Sequence, residues 1–245
     1  MKPQIVMPAG GYHNEDMEKS MARLKSAGSY KDASTVCIIP SRGSMPTKVV
    51  QSWMGLIPMM NQKFIRLFAI GMEVGQAYSA TIEMLLAHPE LSQWKYIWSL
   101  EDDNTPPPDA LPKLVEAIEG GVDGEKYDAV GSLYWTKGEG GQPMMYGDPK
   151  VMPKNFIPQI PSANTITPCN GLGMGCTLFR MSMFKDERIP KPWFKTLNEF
   201  VPGSGTRIFT QDLYFFDNAS KFGYKFACDS RVLTGHYDIN TDITW

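Results

Sequence analysis

Apolar and polar positions alternate along this chain in two rhythms. Thr35-Val-Cys-Ile-Ile39 is a compact apolar run rich in β-branched residues, and it ends in Pro40-Ser41-Arg42-Gly43; this predicts a strand followed by a turn. Beyond it, Val49, Val50, Trp53, Leu56 and Ile57 recur at helical spacing after Pro46, a residue suited to a first helical position. Lys63 to Ile70 predicts a second strand, Tyr78 to His88 a second helix and Tyr96 to Leu100 a third strand. A helix through Leu111, Leu114, Val115 and Ile118 then stops at Gly120-Gly121. Asp128 to Tyr134, Gly175 to Met181 and Tyr224 to Asp229 read as further strands. Gln211 to Phe222 reads as a helix with Leu213, Phe216, Ala219 and Phe222 on one face. Strands alternating with helices at this spacing predict an α/β fold, a mostly parallel sheet with helices on both faces, in a single domain.

Two stretches break the rhythm. The first 33 residues are polar and irregular, with a possible short helix over 15–25, and form an N-terminal extension. Thr136 to Pro168 is rich in Gly, Pro, Asn and Met without a clear period. A loop of that length inside a compact domain is commonly a lid or a binding surface.

Composition changes this picture little. The chain has 245 residues, 42% hydrophobic and 20% charged, which fits a soluble globular protein. A formal net charge of −2 gives no global case for binding nucleic acid or anionic membranes. Cys37, Cys169, Cys176 and Cys228 show no CxxC spacing and sit in apolar surroundings, as buried thiols in a reducing cytoplasm do. Met1 to Gly11 lacks the apolar run of a signal peptide, and Met54 to Met60 is short and interrupted by Pro58. The expectation is a cytoplasmic protein without a membrane span.

The chemistry concentrates where the third strand ends in Glu101-Asp102-Asp103-Asn104, followed by Pro106-Pro107-Pro108. Three carboxylates at one strand end repel each other unless something positive sits among them, and hard oxygen ligands suit magnesium or manganese. The carboxyl ends of strands are also where open α/β sheets bind ligands. The plain alternative is a solvated acidic turn. Gly171-Leu-Gly-Met-Gly175 is a weak dinucleotide signal, because the sixth position is Cys176 and Pro168 stands close before it; close backbone approach explains these glycines better. Asp212, near the start of its helix, is either a helix cap or a general base over a substrate hydroxyl. His236, just past a short strand, is either a packed residue or a metal ligand.

The order of these features resembles the GT-A nucleotide-sugar glycosyltransferases, particularly those like family 2. The resemblance is carried by Cys37-Ile-Ile-Pro-Ser-Arg42, Leu100-Glu-Asp-Asp-Asn104 in place of the DxD motif, the segment Gly171 to Arg180, Gln211-Asp212 and His236, and it spans about residues 34–238. It implies a nucleotide-sugar-binding half over 34–135 and an acceptor-binding half over 136–245. It also implies a Mn2+ (or Mg2+) cofactor held by Asp103 and His236, and a donor pocket formed by Pro40, Ser41, Arg42, Gln76, Glu101 and Asp102. Asp212 would take the proton from the acceptor hydroxyl, giving inversion.

Two positions depart from the family pattern: Glu101 replaces the first Asp of DxD, and Gln211 replaces the Glu before the base. They leave acceptor class and stereochemistry open, since some retaining GT-A enzymes also combine an acidic motif with a late histidine. Two rival functions share the fold, namely nucleotidyl transfer to a sugar phosphate and non-catalytic binding. Against the first, the turn after the initial strand offers only Arg42 and Lys48 and no Gly-rich phosphate loop. The acceptor hydroxyl belongs to a glycan, a small molecule or a modified DNA base. Trp135, Tyr146, Trp193 and Phe194 are candidates for a stacking platform, and Lys137, Lys150, Lys154, Lys191 and Lys195 for a local basic patch.

Overall fold

In strand β1 (Thr35–Ser41), Val36 and Ile38 enter one apolar cluster and Cys37 and Ile39 another, and all four are fully buried. Burial on both faces is the mark of an interior strand, since successive side chains of a strand point to opposite sides. The computed structural model describes residues 22, 32–203 and 205–245, with backbone alone for 199, 201 and 205–208. The short helix expected over 15–25 lies outside the described residues except at Ala22.

After β1 come α1 (Thr47–Met54), β2 (Phe64–Ile70), α2 (Val74–Ala87), β3 (Tyr96–Leu100), β4 (Asn104–Thr105), α3 (Ala110–Ile118), β5 (Ala129–Leu133) and β6 (Met145–Tyr146). There follow β7 (Ile166–Cys169), β8 (Gly171–Leu172), β9 (Cys176–Arg180), α4 (Met181–Phe184), β10 (Leu197–Val201) and β11 (Gly205–Phe209). The chain closes with α5 (Gln211–Ser220), β12 (Phe226–Leu233), β13 (Gly235–Asp238) and β14 (Ile243–Thr244).

The main sheet has seven strands in the order β2-β1-β3-β9-β5-β12-β7. β2, β1, β3, β5 and β12 run one way, whereas β9 and β7 run against them. The sheet is therefore mostly parallel, as the alternating pattern predicted, with an antiparallel strand inserted at its centre. α1 and α3 pack on the face carrying Cys37, Ile39, Trp98 and Leu100. α2 and α5 pack on the face carrying Val36, Ile38, Ile97 and Phe179. Pro46 stands at the N-cap of α1 rather than inside it.

The stretch from Thr136 to Pro168 is less irregular than its composition suggested. β6 pairs with β8, and isolated bridges join Trp135 to Pro143 and Tyr146 to Pro158. Helix α5 also differs from its expected face. Its buried side is Asp212, Phe215, Phe216 and Ala219, while Leu213 is half-buried and Phe222 exposed. The stripe at i, i+3, i+4 and i+7 thus begins with a carboxylate. Phe215 stacks on Phe194 at 4.8 Å between ring centroids, and Phe216 meets Phe226 edge-on at 4.7 Å. Burying each such ring contributes about 1.5–3 kcal/mol, which fixes the start of α5 against the sheet.

Candidate active site

The carboxyl ends of β1, β3, β5 and β12 share one edge of the sheet, and the acidic residues, Lys137 and His236 gather there. Leaving β3, the chain turns sharply: the Glu101 amide donates to the Gly175 carbonyl (3.2 Å), and the Asn104 amide donates to the Glu101 carbonyl (3.0 Å). β4 then pairs antiparallel with β13, setting His236 opposite Asn104, and the Tyr237 amide donates to the Asp103 carbonyl at 2.7 Å. This two-residue pairing is what joins the acidic turn to a histidine more than a hundred residues later. Gly175 is required beside it, because a Cβ there would stand 2.6 Å from Asn104 Oδ1 and 2.7 Å from Tyr134 Cζ.

One short segment after β5 orients both Asp103 and His236. Nδ1 of His236 lies 2.8 Å from the Trp135 carbonyl oxygen, and the Tyr134 ring meets the imidazole edge-on at 5.6 Å. Nε2 of His236 faces Asp103 Oδ2 at 3.4 Å, and the Lys137 ammonium pairs with that same oxygen. Burial pushes the Asp103 carboxyl up, but hydrogen bonds and charge from His236 and Lys137 outweigh it and hold it below the usual value. Asp103 Oδ1 is buried without a hydrogen-bond partner.

These features fit a divalent cation. A carbonyl oxygen only accepts, so Nδ1 carries the hydrogen, and Nε2 is the ring nitrogen turned toward the carboxylate oxygen, where its lone pair serves a cation once it carries no proton. Metal-ligating histidines are commonly held in this way, with the other ring nitrogen donating to a carbonyl. The orphaned Oδ1 is a second oxygen donor at the same place. Among the described residues no group of three or more His, Cys, Asp and Glu could hold a metal. A cation held by Asp103 and His236 would complete its shell with water and substrate phosphates, as magnesium-type ions usually do.

Glu101 is half-buried in the same turn, and burial, followed by the charges of Asp103, Asp212 and Asp102, pushes its pKa up to about 8, against the opposing influence of Lys137. Asp102 is half-buried beside it. Asp212 belongs to the same electrostatic neighbourhood, because its charge is felt by Glu101, Tyr134 and Tyr146. Burial raises the Asp212 pKa, opposed by hydrogen bonds from the Thr210 hydroxyl and the Leu213 amide. Its carboxylate thus caps the first turn of α5 while sitting on the inward face.

The remaining candidate residues are spread more widely. Pro40 and Ser41 are buried at the end of β1, where the Ser41 hydroxyl accepts from the Gly43 amide (3.1 Å) and its carbonyl from the Gly71 amide (3.0 Å); Arg42 is exposed. Gln76 lies in the first turn of α2, where its amide donates to Glu73 Oε2 at 3.0 Å. It lines a groove of about 920 Å³ between α2 and residues 191–196 that does not include the acidic turn. The groove adjoins the start of α5 through a 3.4 Å contact between Thr196 Oγ1 and Gln211 Oε1.

Two expectations about the acceptor side need correction. Trp193 and Phe194 are each 2% exposed, within a cluster that includes Phe184 and Phe215, so their ring faces are spent on the core rather than on a ligand. Three of the five lysines considered as a basic patch are each engaged by a carboxylate: Lys137 by Asp103, Lys154 by Asp217 and Lys191 by Glu83. The sequence reading gave Tyr134 and the Trp135 carbonyl no site role and Lys137 none beyond that patch. Nothing in their local pattern marks them, since each acts on a partner distant in the chain.

No protein-family model matches the sequence, and no curated sequence matches it. Solved structures do resemble the fold. A197 from STIV aligns over 84% of this chain and 86% of its own, with 19% identity and a TM-score of 0.56. GalNAc-T7, a GT-A glycosyltransferase solved with UDP, GalNAc and Mn2+, aligns over 96% of this chain with 11% identity and a TM-score of 0.54. This chain covers 56% of GalNAc-T7. At these identities the likeness establishes the fold, which is of the GT-A type. Among the described residues no helix is long and apolar enough to cross a membrane.

Proposed function

We propose that this chain is a metal-dependent glycosyltransferase that moves a sugar from a nucleotide-diphosphate sugar to an acceptor hydroxyl, with inversion. The observation that carries the reading is the Asp103–His236 pair, whose Nε2 and Oδ2 face each other at 3.4 Å while Nδ1 is committed to the Trp135 carbonyl. Asp103 and His236 are the residues that would hold Mn2+ or Mg2+. Such an ion, when bound, supplies the positive charge that a departing diphosphate needs.

The other roles follow from position. Pro40, Ser41 and Arg42 would border the nucleotide at the end of β1, and Gln76, on the groove beside α2, would belong to the same donor half. Glu101 and Asp102 would meet ribose hydroxyls or ordered water. Asp212 would accept the acceptor proton, and its raised pKa makes it a stronger base than an exposed aspartate. In this reading residues 34–135 bind the donor and residues 136–245 serve the acceptor, with 136–168 closing over the site when donor binds. Incubation with a panel of nucleotide sugars and manganese, monitored for nucleoside diphosphate release, tests the activity. Release from one donor supports it, and no release from any, with or without candidate acceptors, refutes it.

A further inference from the structure

We infer that Lys137 has two successive partners: Asp103 while no divalent cation is bound, and the donor's diphosphate once a cation has taken Asp103. The inference rests on the reading of this site as one for a cation and a nucleotide diphosphate.

The ammonium pairs with Oδ2, the same oxygen that faces His236 Nε2. A cation that uses Oδ2 and Nε2 together must therefore displace it, because two positive charges on one oxygen repel. The exchange is open to solvent, with the Lys137 and Asp103 side chains 32% and 31% exposed. Ion pairs this exposed are weak, so they yield to a stronger ligand.

The local backbone allows the lysine to swing without dismantling its base. The Thr136 amide donates to the Gln142 carbonyl at 2.9 Å, the Gln142 amide donates to Thr136 Oγ1 at 2.9 Å, and Trp135 bridges Pro143. Inside that closed neck, Gly138 and Gly140 take φ values of +100° and +75°, which only glycine adopts readily. The neck also fixes the Trp135 carbonyl that holds His236, so the histidine stays oriented while the lysine moves. A released ammonium at the rim of a cation site is a mobile point charge with several donors, well suited to phosphate oxygens.

The test measures binding rather than turnover. Isothermal titration with Mn2+ alone compares the intact protein with Lys137→Met and Lys137→Arg. Titration with inorganic pyrophosphate at saturating Mn2+ follows. Removing the competing ammonium should tighten manganese binding by about two- to fivefold in Lys137→Met, the range an exposed pair is worth. Pyrophosphate binding should weaken about tenfold or more in Lys137→Met and largely recover in Lys137→Arg. Equal manganese affinity in the intact protein and Lys137→Met overturns the first role, and equal pyrophosphate affinity overturns the second. If the intact protein binds no manganese at all, the reading of the site itself fails.

Discussion

Nδ1 of His236 and the Trp135 carbonyl oxygen lie 2.8 Å apart, and this hydrogen bond decides what the histidine offers to Asp103. With Nδ1 donating, Nε2 is the nitrogen left to face the carboxylate oxygen, at 3.4 Å. A proton or a cation at Nε2 joins the two groups. The β4–β13 pairing and the neck after β5 together hold both groups there.

Manganese binding should therefore depend on both side chains, unequally. Asp103→Ala removes the oxygen donors and should abolish binding measured by titration calorimetry or electron paramagnetic resonance. His236→Ala should weaken it by at least about tenfold, the loss common when a metal site's supporting contacts are removed. Unchanged affinity in Asp103→Ala would show that any bound manganese sits elsewhere.

Asp212→Asn separates the cap from the base. Asparagine keeps the oxygen that accepts from Leu213 and Thr210, so the helix start should survive. A lost general base lowers the rate by about a hundredfold or more. Stability should move the other way. Because burial raises the folded-state pKa above the ordinary 3.8, the charged form is penalised in the folded protein at neutral pH. The variant should therefore melt above the parent at pH 7, with the gap closing as pH falls toward 3.8. A variant that melts lower at neutral pH yet keeps its rate would leave Asp212 a cap alone.

Glu101 gives a second pH signature. Its pKa, pushed up to about 8 by burial and by three neighbouring carboxylates, exceeds the ordinary 4.5. The folded state thus carries no penalty from it below pH 4.5 and the full penalty above pH 8. In chelator, Glu101→Gln should gain melting temperature relative to the parent progressively across that window. A gain that is flat from pH 4.5 to 8 would mean that Glu101 is not held protonated by this site.

Phe215→Ala tests the anchor of α5. The ring is fully buried and stacks on Phe194, so its loss should cost about 3–5 kcal/mol in denaturant unfolding. A cost below about 1 kcal/mol would mean that the aromatic cluster does not fix the helix that carries Asp212.

Much of the fold could be read from periodicity, and the reasons for the exceptions are physical. β1 and β3 are buried on both faces, so they appear as mainly apolar runs without polar alternation, and the acids after Leu100 mark the end of β3 plainly. The same kind of run at Cys176–Arg180 carries no information about direction, and only pairing with β3 and β5 shows that it runs antiparallel. The two-residue β4 and the short β13 are too brief to leave a periodic signal, yet their pairing brings Asp103 and His236 together. Lys137 lay within an aperiodic stretch, and its contact with Asp103 spans 34 residues, so no local pattern could disclose it. Trp193 and Phe194 looked like surface aromatics beside Lys191, Pro192 and Lys195, although tertiary packing buries them.

The most direct test is nucleoside diphosphate release from the best nucleotide sugar of a panel, measured for the intact protein and Asp103→Ala with manganese and with excess chelator. Manganese-dependent release by the intact protein, lost in chelator and in Asp103→Ala, is the predicted result. Release that persists in chelator and in the variant would contradict a metal-dependent transfer centred on Asp103.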